Sequence, residues 1–187
     1  MIDVLMVLDR YAAFLPNILA WIHQTLDAHA AEKRPVRSFN FSRLPRYFPA
    51  DVLNSANVVI TENPPRPPLS SFGLSEFAAF ETQPISGITY LDTYFLTPTA
   101  ARDKSVHFHE LVHVVQWQVL GPEDFLLIYA AGLAERGYLD SPLERMAYEH
   151  QRRFEAGEPP YPVYVEVRIE ALALRSKSHG LPLSPVE

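Results

Sequence analysis

The stretch that most constrains this fold lies between Val106 and Leu120, where a helix-forming run is apolar around most of its circumference. Val106, Leu111, Val112, Val114, Val115, Val119 and Leu120 leave only a narrow polar stripe of His109, His113 and Gln116, with Glu110 beside it. A helix of this kind is buried, so other elements must wrap it and each polar group on the stripe needs an internal partner. Residues four apart share one side of a helix, so the imidazoles of His109 and His113 can reach a single ion. Glu110 diverges from His109 by about 100° around the helix, which places it beside the ligands, where it can deprotonate a water. Gly121-Pro122 should end the helix, because glycine takes the left-handed conformation and proline cannot continue the ladder. The competing account is a pair of buried histidines bonded to carboxylates or backbone, with Glu110 in a salt bridge.

The length of 187 residues suits one domain with a sizeable core. A net charge of −6 without a basic cluster argues against nucleic acid as a partner. The absence of cysteine excludes disulfides and a cysteine metal cage. Asp3, Asp9 and Arg10 interrupt the apolar N-terminus and no apolar run reaches spanning length, so neither a signal peptide nor a membrane segment is expected. These features together predict a cytoplasmic protein.

Along the chain, Leu5, Leu8, Ala12, Leu15, Leu19, Ile22 and Leu26 predict helix from Ile2 to Lys33, kinked or broken near Pro16. His23 and His29 on it should be solvated or locally bonded. Arg37, Arg43 and Arg46 among aromatics read as surface packing. Pro49 to Asn54 suggests a short helix, Asn57 to Thr61 a buried strand, and Leu74 to Glu81 another short helix. The proline-rich segment Glu62 to Leu69 reads as a stiff surface loop, with an exposed ligand for a proline-recognising module as the alternative. Ile85 to Thr97 reads as β structure, either two strands with a turn at Leu91-Asp92-Thr93 or one continuous run.

Downstream, a helix from Glu123 to about Arg136 should stop at Gly137. Another opens at Ser141-Pro142-Leu143-Glu144, whose spacing fits a capping box, and runs to about Phe154. Alternation of Val163, Val165, Val167 and Ile169 suggests a strand, with helix as the alternative because the parity shifts at Leu172 and Leu174. Residues 178–187 read as a loose tail.

Catalytic metal sites take three protein ligands and keep a position for water. No third histidine follows the motif at the necessary spacing, so the third ligand should be acidic and downstream: Glu135, Glu144 or Glu149. Imidazole and carboxylate donors suit Zn²⁺ better than Mg²⁺ or Ca²⁺.

Three segments carry a family resemblance: Gly87-Ile88-Thr89-Tyr90, Phe108 to Gln116, and Ser141-Pro142-Leu143-Glu144 with Ala147-Tyr148. Together they resemble a small bacterial zincin of the gluzincin type, in the group whose active helix reads His-Glu-Leu-x-His-Val-x-Gln. The resemblance implies a single α+β zincin-like domain over residues 1–187, with its metal-site core at 85–155 and the buried helix beside a small sheet. It implies Glu144 as the third ligand and a zinc metallopeptidase acting on a peptide or protein, paired along an edge strand within Ile88 to Leu96. Glu110 would be the general base, and Tyr148, Tyr138 or His150 would donate to the developing oxyanion. Tyr148 stands where thermolysin-type relatives carry an aspartate, so the histidines' outer partner is unassigned. A rival from another class is a zincin-derived protein that binds metal for structure or interaction without hydrolysis.

Overall fold

The computed structural model describes residues 10–178. The N-terminal helix expected from Ile2 is described only from Arg10, and residues 1–9 lie outside the described part, as do tail residues 179–187. The helix is broken before Pro16: a turn closed by Phe14 N–H to the Tyr11 carbonyl precedes helix α1 (Leu15–Ala28). Proline's missing N–H costs nothing in a first turn, so the break falls there. Leu15, Ile18, Ile22 and Leu26 form the buried face of α1. His23 is exposed and His29 bonds locally to Glu32 at 3.2 Å.

Strand β1 (Arg34–Pro35), helix α2 (Ala50–Ser55) and strand β2 (Asn57–Ile60) follow, and then the proline-rich segment. That segment is a fixed wall of the fold. Pro64 and Pro67 are buried, the Arg66 guanidinium donates to the Phe80 and Gln83 carbonyls, and the Tyr90 hydroxyl donates to the Pro65 carbonyl at 2.8 Å. It is therefore not an exposed proline ligand.

After helix α3 (Ala78–Thr82), strands β3 (Gly87–Tyr90) and β4 (Thr93–Leu96) form a hairpin turned at Leu91, whose φ is 56°. The four strands run in the order β1-β2-β4-β3, with β2 and β4 parallel and the other pairs antiparallel. This narrows the expected edge from Ile88–Leu96 to β3 alone, because β4 lies between β2 and β3. Parallel pairing with the apolar β2 pulls β4 inward, and all four residues of β4 are buried.

Helix α4 (Lys104–Arg136) is the spine. Asp103 caps it by accepting from Ser105 N–H at 2.8 Å. From Ser105 to Trp117 every residue except Val106 is buried. At Gly121 the backbone leaves helical geometry (φ 76°, ψ 168°), and Pro122 starts a second arm with no intervening loop. Gly137 (φ 75°) ends that arm, its N–H bonded to the Leu133 carbonyl.

Helix α5 (Pro142–Glu155) packs on the first arm and begins against the second. A Cβ at Gly132 would sit 2.6 Å from Pro142 Cδ, so only glycine there allows α5 to start this close. Residues 163–169, expected as a strand, belong to helix α6 (Val163–Ser178). Its buried positions Val163, Val167 and Ala171 recur every four residues against the core, while Val165 and Ile169 are exposed at 48% and 45%. Packing against α4 selects the helical period over the period-two alternation. Buried residues from Tyr11 to Ala171 form one apolar cluster. No helix among the described residues is long and apolar enough to cross a membrane.

Candidate metal centre

His109 and His113 project from one side of the first arm of α4, and Glu144 from the first turn of α5 faces them. The Nε2 atoms are 3.1 Å apart; Glu144 Oε2 is 3.4 Å from His109 Nε2, and Oε1 is 3.5 Å from His113 Nε2. A tetrahedral ion with bonds of about 2.0–2.1 Å has ligand atoms roughly 3.3 Å apart. The separations are on this scale, with each imidazole facing a different oxygen of Glu144, Oε2 for His109 and Oε1 for His113, and one ligand atom from each residue lies within 4.8 Å of the others. All three side chains are at least nine-tenths buried.

Hydrogen bonds set the histidine orientation. The Gln116 amide nitrogen donates to the Leu143 carbonyl at 3.0 Å, which turns its oxygen toward His113 Nδ1 at 2.8 Å. An oxygen facing Nδ1 requires the proton there, so Nε2 is the nitrogen left to face Glu144 and His109 and to bind an ion. Gln116 is thus the partner that the sequence left unassigned for His113. The His109 ring packs on Tyr148, with centroids 4.6 Å apart, and its Nδ1 has no hydrogen-bond partner.

Charge balance points the same way. Burial opposes charge on His113, but Glu144, with Glu110 and Gln116, outweighs it and lifts the imidazole to about 9. Burial also opposes charge on Glu144, yet His113 and His109 hold its carboxyl well below the usual carboxylate range. A cluster that keeps its carboxylate and attracts positive charge between buried nitrogens suits a cation, and the unpartnered Glu144 Oε2 supplies a ready ligand atom.

Glu144 does not complete a capping box. Ser141 makes no side-chain cap bond, its Oγ has no partner, and Glu144 Oε1 instead accepts from the Tyr129 hydroxyl at 2.9 Å. Proline at the first helical position already removes one donor a cap would serve, and the buried histidines outcompete the rest. The other acidic candidates lie elsewhere: Glu135 is exposed, and Glu149 is exposed and paired with Arg152. His150 also faces away, toward Tyr161 at 3.0 Å and Glu170 at 3.7 Å, which removes it as an oxyanion donor.

Glu110 lies beside the cluster. Thr89 Oγ1 donates to its Oε2 at 2.6 Å, and Oε1 lies against Gly87 so closely that a Cβ there would be 2.4 Å away. Burial raises the Glu110 pKa, against the pull of His109, His113 and Thr89, which suits a group that must accept a proton. Tyr138 and Tyr148 sit near both carboxylates; burial, and then Glu144, raises each hydroxyl's pKa, so both stay protonated as donors.

Sequence reasoning missed Tyr129 and Thr89, which only the kink at Gly121 and the hairpin bring to the centre. Gly87 had a signal: a glycine within a β-branched run marks close approach. Comparison with protein-family models, curated proteins and solved structures returns no match.

Proposed function

We propose that this protein is a zinc-dependent hydrolase of amide-type carbonyl bonds, with the peptide bond as the case its family resemblance implies. One observation carries the reading: a buried His-His-Glu group whose ligand atoms lie within 4.8 Å of one another has a second, raised-pKa carboxylate, Glu110, beside it. His109, His113 and Glu144 would hold the ion. When bound, Zn²⁺ supplies a Lewis acid that acidifies water and polarises a carbonyl.

The protein's own groups then divide the remaining work. Thr89 fixes Glu110 by Oε2, so Oε1 takes the proton from the attacking water and passes it to the leaving nitrogen. Tyr148 or Tyr138, whose hydroxyls stay protonated near both carboxylates, would donate to negative charge growing on the carbonyl oxygen. Gln116 keeps His113 in the ligating tautomer.

Metal analysis of the purified full chain tests the centre, and Glu110→Gln tests the chemistry. The variant should keep its zinc and its fold while amide hydrolysis falls about a hundredfold or more. Protein that takes up no zinc at neutral pH refutes the centre. Zinc-loaded wild type with no amidase activity, matched by an unchanged Glu110→Gln, favours the metal-binding protein without hydrolysis.

A further inference from the structure

The candidate centre opens onto a cleft whose apolar walls the proposed chemistry leaves without a task. Its volume, taken as the space open to the centre of a water, is about 90 Å³. The walls come from four parts of the chain and include Leu69, Phe77, Phe80, Leu126, Ala130 and Leu133. Among the described residues, the only ionisable acids or bases lining it, apart from tyrosines, are Glu110, His113 and Glu144, all at the metal end. A ligand that fits therefore has one polar head at the centre and an uncharged apolar tail. That volume is several times the roughly 10–15 Å³ at which a cavity begins to hold one water, so the cleft has room for a hydrocarbon chain rather than a single small group.

The sheet edge argues against an extended peptide in this position. Thr97 N–H bonds to the Ser86 carbonyl, so in this antiparallel register Ser86, Ile88 and Tyr90 face β4, while Gly87 and Thr89 point their backbone groups outward. The Trp117 indole N–H takes the outward Thr89 carbonyl at 3.1 Å. The ladder that an added strand needs is interrupted there. Trp117 is itself locked by stacking on Phe125, with centroids 3.9 Å apart.

We infer that the substrate is an N-acyl amide whose linear apolar chain fills this cleft. The inference rests on the hydrolase reading and names its substrate class. Water's oxygen would bond to the acyl carbon as the C–N bond breaks. The proton taken by Glu110 would leave on the amine, so a carboxylic acid and an amine are released.

The test is calorimetric titration of the zinc-loaded full chain with n-alkyl hydroxamates from acetyl to tetradecanoyl. Each methylene moved from water into the cleft should tighten binding about three- to fourfold until the cleft is full, so butanohydroxamate should bind roughly tenfold tighter than acetohydroxamate. The gain should level off once the cleft is full, before tetradecanoyl. Ala130→Phe and Leu126→Trp, each checked for zinc content and fold, should flatten the series while leaving acetohydroxamate affinity unchanged. As a readout independent of the metal, octanol should displace an apolar dye from chelated wild type. Acetohydroxamate binding with no gain along the series refutes the acyl cleft and leaves the metal centre standing. A leucyl-dipeptide hydroxamate binding more tightly than every alkyl one also refutes it, in favour of a peptide. Failure of zinc and of acetohydroxamate to bind refutes the hydrolase reading instead, while the dye displacement still judges the cleft.

Discussion

Replacing Gly87 with alanine should damage the chemistry while sparing the metal. Alanine is acceptable to the backbone here, because Gly87 is not among the positive-φ residues. Its methyl is not acceptable to the neighbours. It would lie 2.4 Å from Glu110 Oε1, 3.0 Å from Glu110 Cδ and 2.6 Å from Leu96 Cδ2, where ordinary contact begins at 3.4 Å. Relief of the tightest contact needs a movement of about 1 Å, the difference between 3.4 and 2.4 Å. Leu96 is fully buried and cannot retreat, so Glu110 must swing and strain its bond to Thr89. Overpacking of this kind costs about 1–3 kcal/mol of stability. Misplacing a catalytic group by 1 Å costs on the order of a hundredfold in rate. The three atoms nearest the methyl belong to Glu110 and Leu96, and none to His109, His113 or Glu144. Gly87→Ala should therefore bind zinc as wild type does, unfold at lower denaturant, and lose most of its hydrolysis. The measurements are urea unfolding, competitive zinc titration and amide turnover. A variant with wild-type stability and rate would show that Glu110 has room that this packing denies it.

Three further substitutions probe the centre. Glu144→Gln removes the ligand charge and should weaken zinc binding at least tenfold in competitive titration; unchanged affinity would exclude Glu144 as a ligand. Tyr129→Phe removes the donor to Glu144 Oε1 and should lower zinc affinity about tenfold or more with little change in the far-ultraviolet spectrum. Ser141→Ala should cost less than the ~1 kcal/mol typical of a helix cap, because this serine makes no cap bond; a full loss on urea unfolding would reinstate the cap.

Much of the centre was legible in the chain because its signals are local. His109, Glu110, His113 and Gln116 lie within two helical turns, and an apolar surround on such a helix forces burial wherever the rest of the protein sits. Glycine and proline likewise mark stops by backbone sterics alone, so Gly121 and Gly137 were visible in advance. The proline-rich loop and the β3–β4 hairpin could be placed for the same reason.

Other features depend on what a segment meets. Ser141-Pro142-Leu143-Glu144 satisfies the local rule for a capping box, yet two buried imidazoles offer Glu144 a stronger partner than an exposed N–H. The alternating valines of 163–169 satisfy the local rule for a strand, and the surface of α4 imposes a four-residue step instead. Tyr129 reaches Glu144 only because the chain kinks at Gly121 and α5 closes against Gly132. Sequence by itself determined which groups had to be buried together, since periodicity and backbone stiffness act over a few residues. Only the tertiary structure decided which distant carboxylate and hydroxyl would meet them, because in the interior a buried polar group takes the partner that packing brings within reach.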